Sequence, residues 1–271
     1  MWTHLPNILH LVIGKSRDLR PTIVIDFGLR HEMLNHFSVD PSSLPATASI
    51  CGAMASGARD GSEFVSLADL VTRHPDRYVT VPAQLSAAAD VALVPLSLPG
   101  APFDGVVSAQ DLETYSDFID DCLKTLDPRL VVATFEGQPE GLLFERELER
   151  QALLEYAIDR ADFVVCLVRH DTNARFEDAV EIPQVIGRRL AWRNKVRIIL
   201  TRTSAARNFG NPLVLGRIPF SECVANSMSR GRMALLDRPD VEGAALAEWE
   251  SYCEAIGDAA DSIIQLVGGE A

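Results

Sequence analysis

Acids, hydroxyls and cations stand just past several short apolar runs in this chain, and their spacing limits the chemistry they could share. Asp26 closes Pro21-Thr-Ile-Val-Ile-Asp26 and is followed by Phe27-Gly28. A carboxylate at the end of a buried strand can hold a magnesium-bound water or orient an attacking water. The same residue can equally cap a helix or close a turn. Gly14-Lys15-Ser16 matches the end of the phosphate-loop pattern GxxxxGK[ST]. Its context fails: Leu9 stands where the first glycine belongs, no strand precedes it, and Lys15 lies only eleven residues before Asp26. A helix-to-strand turn is expected there instead. His31, Glu32 and His36 could approach a metal ion, but no second cluster supports them and a solvated surface is expected. Ser97, His170 and Asp171 could assemble as a nucleophilic triad, yet no Gly-x-Ser-x-Gly elbow is present.

Charge is distributed unevenly. The 271 residues carry a formal net charge of −13, with a sequence pI near 4.9. Between Arg188 and Arg207 there are seven basic residues and no acid: Arg188, Arg189, Arg193, Lys195, Arg197, Arg202 and Arg207. Such a strip can contact the phosphates of a nucleotide or of DNA without sequence preference. It can also be a solvated helix face balancing an acidic neighbourhood. The acidity of the whole argues against a nucleic-acid coat over its full surface.

The elements that must position these residues follow from the hydrophobic pattern. Continuous β-branched runs predict strands over Pro21–Asp26, Asp90–Pro95, Arg129–Thr134, Asp162–Val168, Lys195–Thr201 and Leu213–Ile218. Continuity rather than alternation suits strands buried on both faces of a parallel sheet. Three-and-four spacing predicts helices over Ser108–Leu126 and Leu142–Arg160, with others at Glu177–Ala191 and Pro239–Leu266, the last broken. Asp40–Gly61, rich in Pro, Ser, Ala and Gly, should be the least ordered part. This alternation predicts an α/β fold, a doubly wound and mostly parallel sheet with helices on both faces. The chain reads as one domain over 1–271, with 237–271 as its C-terminal helical segment. In such a sheet ligands collect past the carboxyl ends of the strands. That places Asp26–Arg30, Pro95–Ser97, Thr134–Gly137, Arg169–Asp171, Thr201-Arg202 and Pro219-Phe-Ser221 at the candidate site. Five widely spaced cysteines without a CxxC read as reduced thiols of a cytoplasmic protein. No run approaches the length of a membrane helix, and no secretory signal is recognisable. The tail also lacks the basic residues an interfacial helix uses, so no membrane role is expected.

Taken in order, the segments resemble the ParA/MinD family of deviant Walker-A ATPases over nearly the whole chain. Thr3–Gly14 resembles the helix that follows the family's phosphate loop, and Pro21–Arg30 its "IDxDxQ" or "IDxDxR" strand end. Ala89–Ser97 is similar to the strand ending in Pro-Ser, and Asp127–Gly137 to "YDxIIIDTPPG". Tyr156–Val168 resembles "AxxAADxVIxPV" and Val196–Thr203 "VxGxVLNRV". Leu215-Gly-Arg-Ile-Pro-Phe-Ser-Glu-Cys-Val-Ala-Asn-Ser-Met-Ser-Arg-Gly231 resembles "LGxIPxxxxVxxAxxxG". The order of these matches makes the resemblance specific.

The resemblance implies a P-loop NTPase-like fold, ATP with Mg2+ as cofactors, and a homodimer that partitions plasmid or chromosomal DNA or positions a complex. It also implies an adaptor or centromere-binding partner, non-specific contact with DNA through Arg188, Arg189, Arg193, Lys195 and Arg197, and a cytoplasmic, nucleoid-associated location. Asp26 would be the catalytic residue that orients water. Thr134, Thr201, Arg202, Ile218 and Pro219 would line the nucleotide. The departures are specific. The family's first strand and its Lys-Gly-Gly-x-Gly-Lys-Thr loop would have to lie upstream of Thr3. Gly28 replaces the second acid of "IDxD", Ala133 replaces the Walker-B aspartate, and Thr201 replaces the adenine-side asparagine. The expectation is ATP-dependent dimerisation if the loop is supplied upstream. The alternative is a non-hydrolysing pseudo-ATPase that binds a partner or DNA.

Overall fold

The computed structural model describes residues 4–15, 21–28, 34, 40–57, 64–66, 91–101, 111–135, 148–169, 194–203, 213–229, 234–235, 237–240 and 243–268. In chain order its elements are α1 (Leu5–Lys15), β1 (Thr22–Asp26), α2 (Ile50–Ser56), β2 (Val65–Ser66), β3 (Val91–Pro95), α3 (Leu112–Leu126) and β4 (Leu130–Thr134). They continue with α4 (Leu148–Arg160), β5 (Val164–Arg169), β6 (Val196–Thr203), β7 (Val214–Pro219), α5 (Glu222–Ser229) and α6 (Ala244–Gly268). The chain divides into two compact units, one of residues 13–157 and one of residues 1–12 with 158–271.

In the unit 13–157 four strands lie in the order β2-β3-β1-β4. β1 pairs in parallel with β3 on one side and β4 on the other, so Asp26 stands level with Pro95 and Thr134. β1 is buried along its whole length, as its unbroken Thr-Ile-Val-Ile run requires of a central parallel strand. Ile23, Ile25 and Phe27 pack with Val94 and Leu96, and the layer above is Ile50 and Cys51 of α2, Ile119 of α3 and Leu153 of α4. The Tyr156 hydroxyl donates to Asp120 Oδ1 at 2.9 Å and ties α4 to α3. α3 ends where Asp127 turns left-handed, at φ 43°, with Lys124 in the last turn facing the negative end of the helix dipole.

Two expectations for this unit are corrected. Residues 40–57 are not the least ordered part. Two short 3-10 turns lead into α2, whose Ile50, Cys51 and Ala53 are buried. Capping explains the order: Asp40 and Ser49 accept backbone N–H groups at 2.9 and 3.2 Å, and Gly57 closes α2 at φ 78°. The sequence also gave no warning of β2, two residues that pair antiparallel with β3.

In the other unit β5, β6 and β7 form a parallel sheet in that order. β6 is the middle strand, and its Ile198, Ile199 and Leu200 are fully buried. α6 lies against β7. A Cβ on Gly216 would sit 3.1 Å from that of Ala259, so the glycine permits the close approach. Ser262 Oγ then donates to the Leu215 carbonyl at 3.1 Å. α6 corrects a third expectation. It is one continuous helix of 25 residues that starts at Ala244 rather than Pro239. Gly243, at φ 127°, accepts the first helical bond, from Ala247 N. Tyr252, Ile256, Ala259 and Ala260 then bury one face at four-, seven- and eight-residue spacing, which holds the helix together past Gly257. α1 buries Ile8, Leu9 and Val12, and Asn7 Oδ1 accepts from Leu235 N at 3.2 Å. Lys15 is the last residue of α1, so Gly14-Lys15 belongs to a helix end rather than to a phosphate loop. Residues 142–147 of the helix expected over Leu142–Arg160, and the helix expected over Glu177–Ala191, lie outside the described residues.

The fold is α/β with parallel sheets and interleaved helices, as the alternating pattern predicts. None of the five cysteines is in a disulfide.

Candidate functional site

Asp26 is 4% exposed and sits at the carboxyl end of β1. Its Oδ1 accepts from Gly28 N at 3.0 Å and from Thr134 Oγ1 at 3.1 Å. The first bond closes an Asx turn; the second bridges to β4. Phe27 N donates to the Thr134 carbonyl at 3.0 Å, and the Phe27 and Phe135 rings stack with centroids 4.7 Å apart. The two strand ends are thus locked together by a carboxylate, a hydroxyl and a ring pair. Ala133, one residue before Thr134, offers only a methyl group where a carboxylate could have faced a cation. If the turn is what Asp26 holds, Asp26→Ala should destabilise the protein by about 1–3 kcal/mol, because it leaves the buried Gly28 N–H unpaired and the Thr134 hydroxyl with only the Ile25 carbonyl at 3.4 Å. Asp26→Asn, which keeps Oδ1 as an acceptor, should lose less than half as much in urea denaturation.

Thr201, Arg202, Ile218 and Pro219 come together at the carboxyl ends of β6 and β7. The register of β6 on β7 slips between Thr201 and Thr203, so Thr201 faces Ile218, Thr203 faces Pro219, and Arg202 is the extra residue. Arg202 adopts φ 60°, a left-handed conformation that costs a non-glycine residue about 1 kcal/mol. A bulge re-aims its side chain. Here the guanidinium lies over the Phe220 ring, 5.3 Å from its centroid. Phe220 is 54% exposed and is held between Pro219, which ends β7, and Ser221, whose Oγ accepts Val224 N at 3.2 Å to cap α5. The neighbouring hydroxyls point into the sheet: Thr201 Oγ1 donates to Val168 O and Thr203 Oγ1 to Ile218 O, each at 3.4 Å. Arg202 also acts on His4, at the start of α1. Burial lowers the His4 pKa to about 4, and the Arg202 charge adds to that shift.

Phe220 lies in the Pro219-Phe-Ser221 segment that the strand-end argument places at the candidate site, although no role of its own is assigned to it there. Its signal is an aromatic between a strand-ending proline and a capping serine, at the carboxyl end of the sheet.

Of the basic strip, Lys195, Arg197 and Arg202 are described, and Lys195 and Arg197, like Arg202, are engaged locally. Lys195 Nζ donates to the carbonyls of Ile158 and Asp159 at 3.3 and 3.0 Å. Arg197 Nη1 donates to those of Asn194 and Val196 at 2.7 and 3.0 Å, and its guanidinium lies 5.8 Å from the Phe163 ring centroid. Arg188, Arg189 and Arg193 lie outside the described residues, as do His31, Glu32, His36, His170 and Asp171. Ser97 is described and is buried beyond the end of β3.

A cationic and aromatic surface such as Arg202 with Phe220 suits a base. Among the described residues, no group of three His, Cys, Asp or Glu side chains could hold a metal ion. Nor is any described helix long and apolar enough to cross a membrane.

No protein-family model and no curated protein sequence matches the chain. Solved structures do. The MinD cell division protein of Aquifex aeolicus superposes with a TM-score of 0.58 at 12% identity, covering 96% of this chain and 89% of that one. A MinC:MinD cell division complex of the same organism matches with a TM-score of 0.52 at 12% identity, over 95% and 89%. A plasmid partition protein of Borrelia burgdorferi B31, bound to AMPPNP, matches with a TM-score of 0.52 at 14% identity, over 92% and 90%. The resemblance carried by the sequence motifs is thus met by the backbone, and the chain has the fold of the ParA/MinD proteins.

Proposed function

We propose that this chain is a ParA/MinD-like positioning or partitioning protein, one domain over 1–271, that holds a nucleotide without turning it over efficiently. The observation that carries the proposal is the state of the acidic corner. Asp26 Oδ1 is bound to Gly28 N and Thr134 Oγ1, and Ala133 adds no second carboxylate. A bound Mg2+ would neutralise phosphate charge, and no step is routed through it. This chain's own residues hold the base end of the nucleotide: Arg202 and Phe220 face it, while Ile218 and Pro219 support the surface from beneath. Asp26 keeps the β1 and β4 ends in register through Oδ1, and the remaining lone pairs of its carboxylate could still orient a water. MinD's occurrence in a complex with MinC supports an adaptor protein as the partner here. A centromere-binding protein would serve the same role beside DNA in the cytoplasm. The contacts of Lys195 and Arg197 weigh against DNA as the main ligand, since both cations already donate to backbone carbonyls.

The test combines ATP binding, phosphate release and mass by light scattering. ATP should bind with phosphate release at buffer background, and any homodimer should persist unchanged without nucleotide. Fast release, or a dimer formed only with ATP, would overturn this reading. Either result would favour an ATP-gated dimer.

A further inference from the structure

We draw no further inference here: the strongest candidate, the exposed apolar patch formed by Val131 and Ala133 on β4, carries none because nothing in the structure shows what covers it.

Discussion

Moving this protein from pH 7 to pH 4.5 should lower its unfolding free energy by about 5 kcal/mol through two histidines of α1 alone. Burial depresses His10 from 6.5 to about 4, and burial with the added charge of Arg202 does the same to His4. Between those two values the unfolded chain binds more protons than the folded one. The stability contributed by the neutral rings is therefore complete above pH 6.5 and is lost as pH falls toward 4. At pH 4.5 the two rings contribute about equally to that loss. The two rings are not equivalent. His4 Nδ1 lies 3.2 Å from the Tyr252 hydroxyl, a phenol that burial itself holds well above its ordinary pKa. His10 is 4% exposed, and its Nδ1 finds no hydrogen-bond partner among the described residues. Because it satisfies no partner there, His10→Leu should change stability at pH 7 by less than about 1 kcal/mol. It should also remove about half of the histidine-linked pH dependence. Urea denaturation of both proteins at the two pH values checks this. Parallel losses in wild type and variant would show that His10 is not the titrating group.

Much of this fold was legible because burial on both faces forces a strand to be continuously apolar. The six long strands appear where Thr-Ile-Val-Ile, Val-Ala-Leu-Val, Leu-Val-Val-Ala and their later counterparts stand. β2 escaped notice because two residues carry no periodicity. α2 was masked by the Pro, Ser and Gly around it, although Ser49 and Gly57 are the residues that cap it. The same composition that signals a loop also marks the two ends of a short helix, and only packing decides between them. α6 was read as interrupted because glycine penalises a helix by up to about 1 kcal/mol, a penalty that the buried face of Tyr252, Ile256, Ala259 and Ala260 offsets. At the strand ends, motif order named Asp26, Thr134, Thr201 and Arg202 as candidates. It could not show that Asp26 is bonded within a turn or that Arg202 is a bulge residue. Both depend on one residue of register between neighbouring strands, which lies below the resolution of any pattern read along a single chain.

Gly52→Ala should destabilise the protein by about 3 kcal/mol, at the upper end of what overpacking costs. The reason is close approach: an added Cβ would overlap the backbone carbonyl of Ala46. That oxygen cannot yield easily, because it accepts Ser49 N at 3.2 Å and Ser49 Oγ at 2.6 Å. Ser49 Oγ in turn caps Gly52 N at 3.2 Å, so the turn and the first turn of α2 form one closed hydrogen-bonded unit. Shifting α2 outward instead would pull Cys51 N from the Leu96 carbonyl, now at 2.9 Å, and Ile50 from the core above β1 and β3. Two other glycines separate this mechanism from conformational effects. Gly57 faces open space but has φ 78°, so Gly57→Ala should cost about 1 kcal/mol through backbone strain alone. Gly257 also faces open space, within α6, and Gly257→Ala should stabilise by about 0.5–1 kcal/mol. At about 2–4 °C per kcal/mol, the melting temperatures should fall in the order Gly257→Ala, wild type, Gly57→Ala, Gly52→Ala. A Gly52→Ala protein as stable as Gly57→Ala would mean that the 46–49 turn can move aside, and that the ordered packing of residues 40–57 is looser than its hydrogen bonds imply.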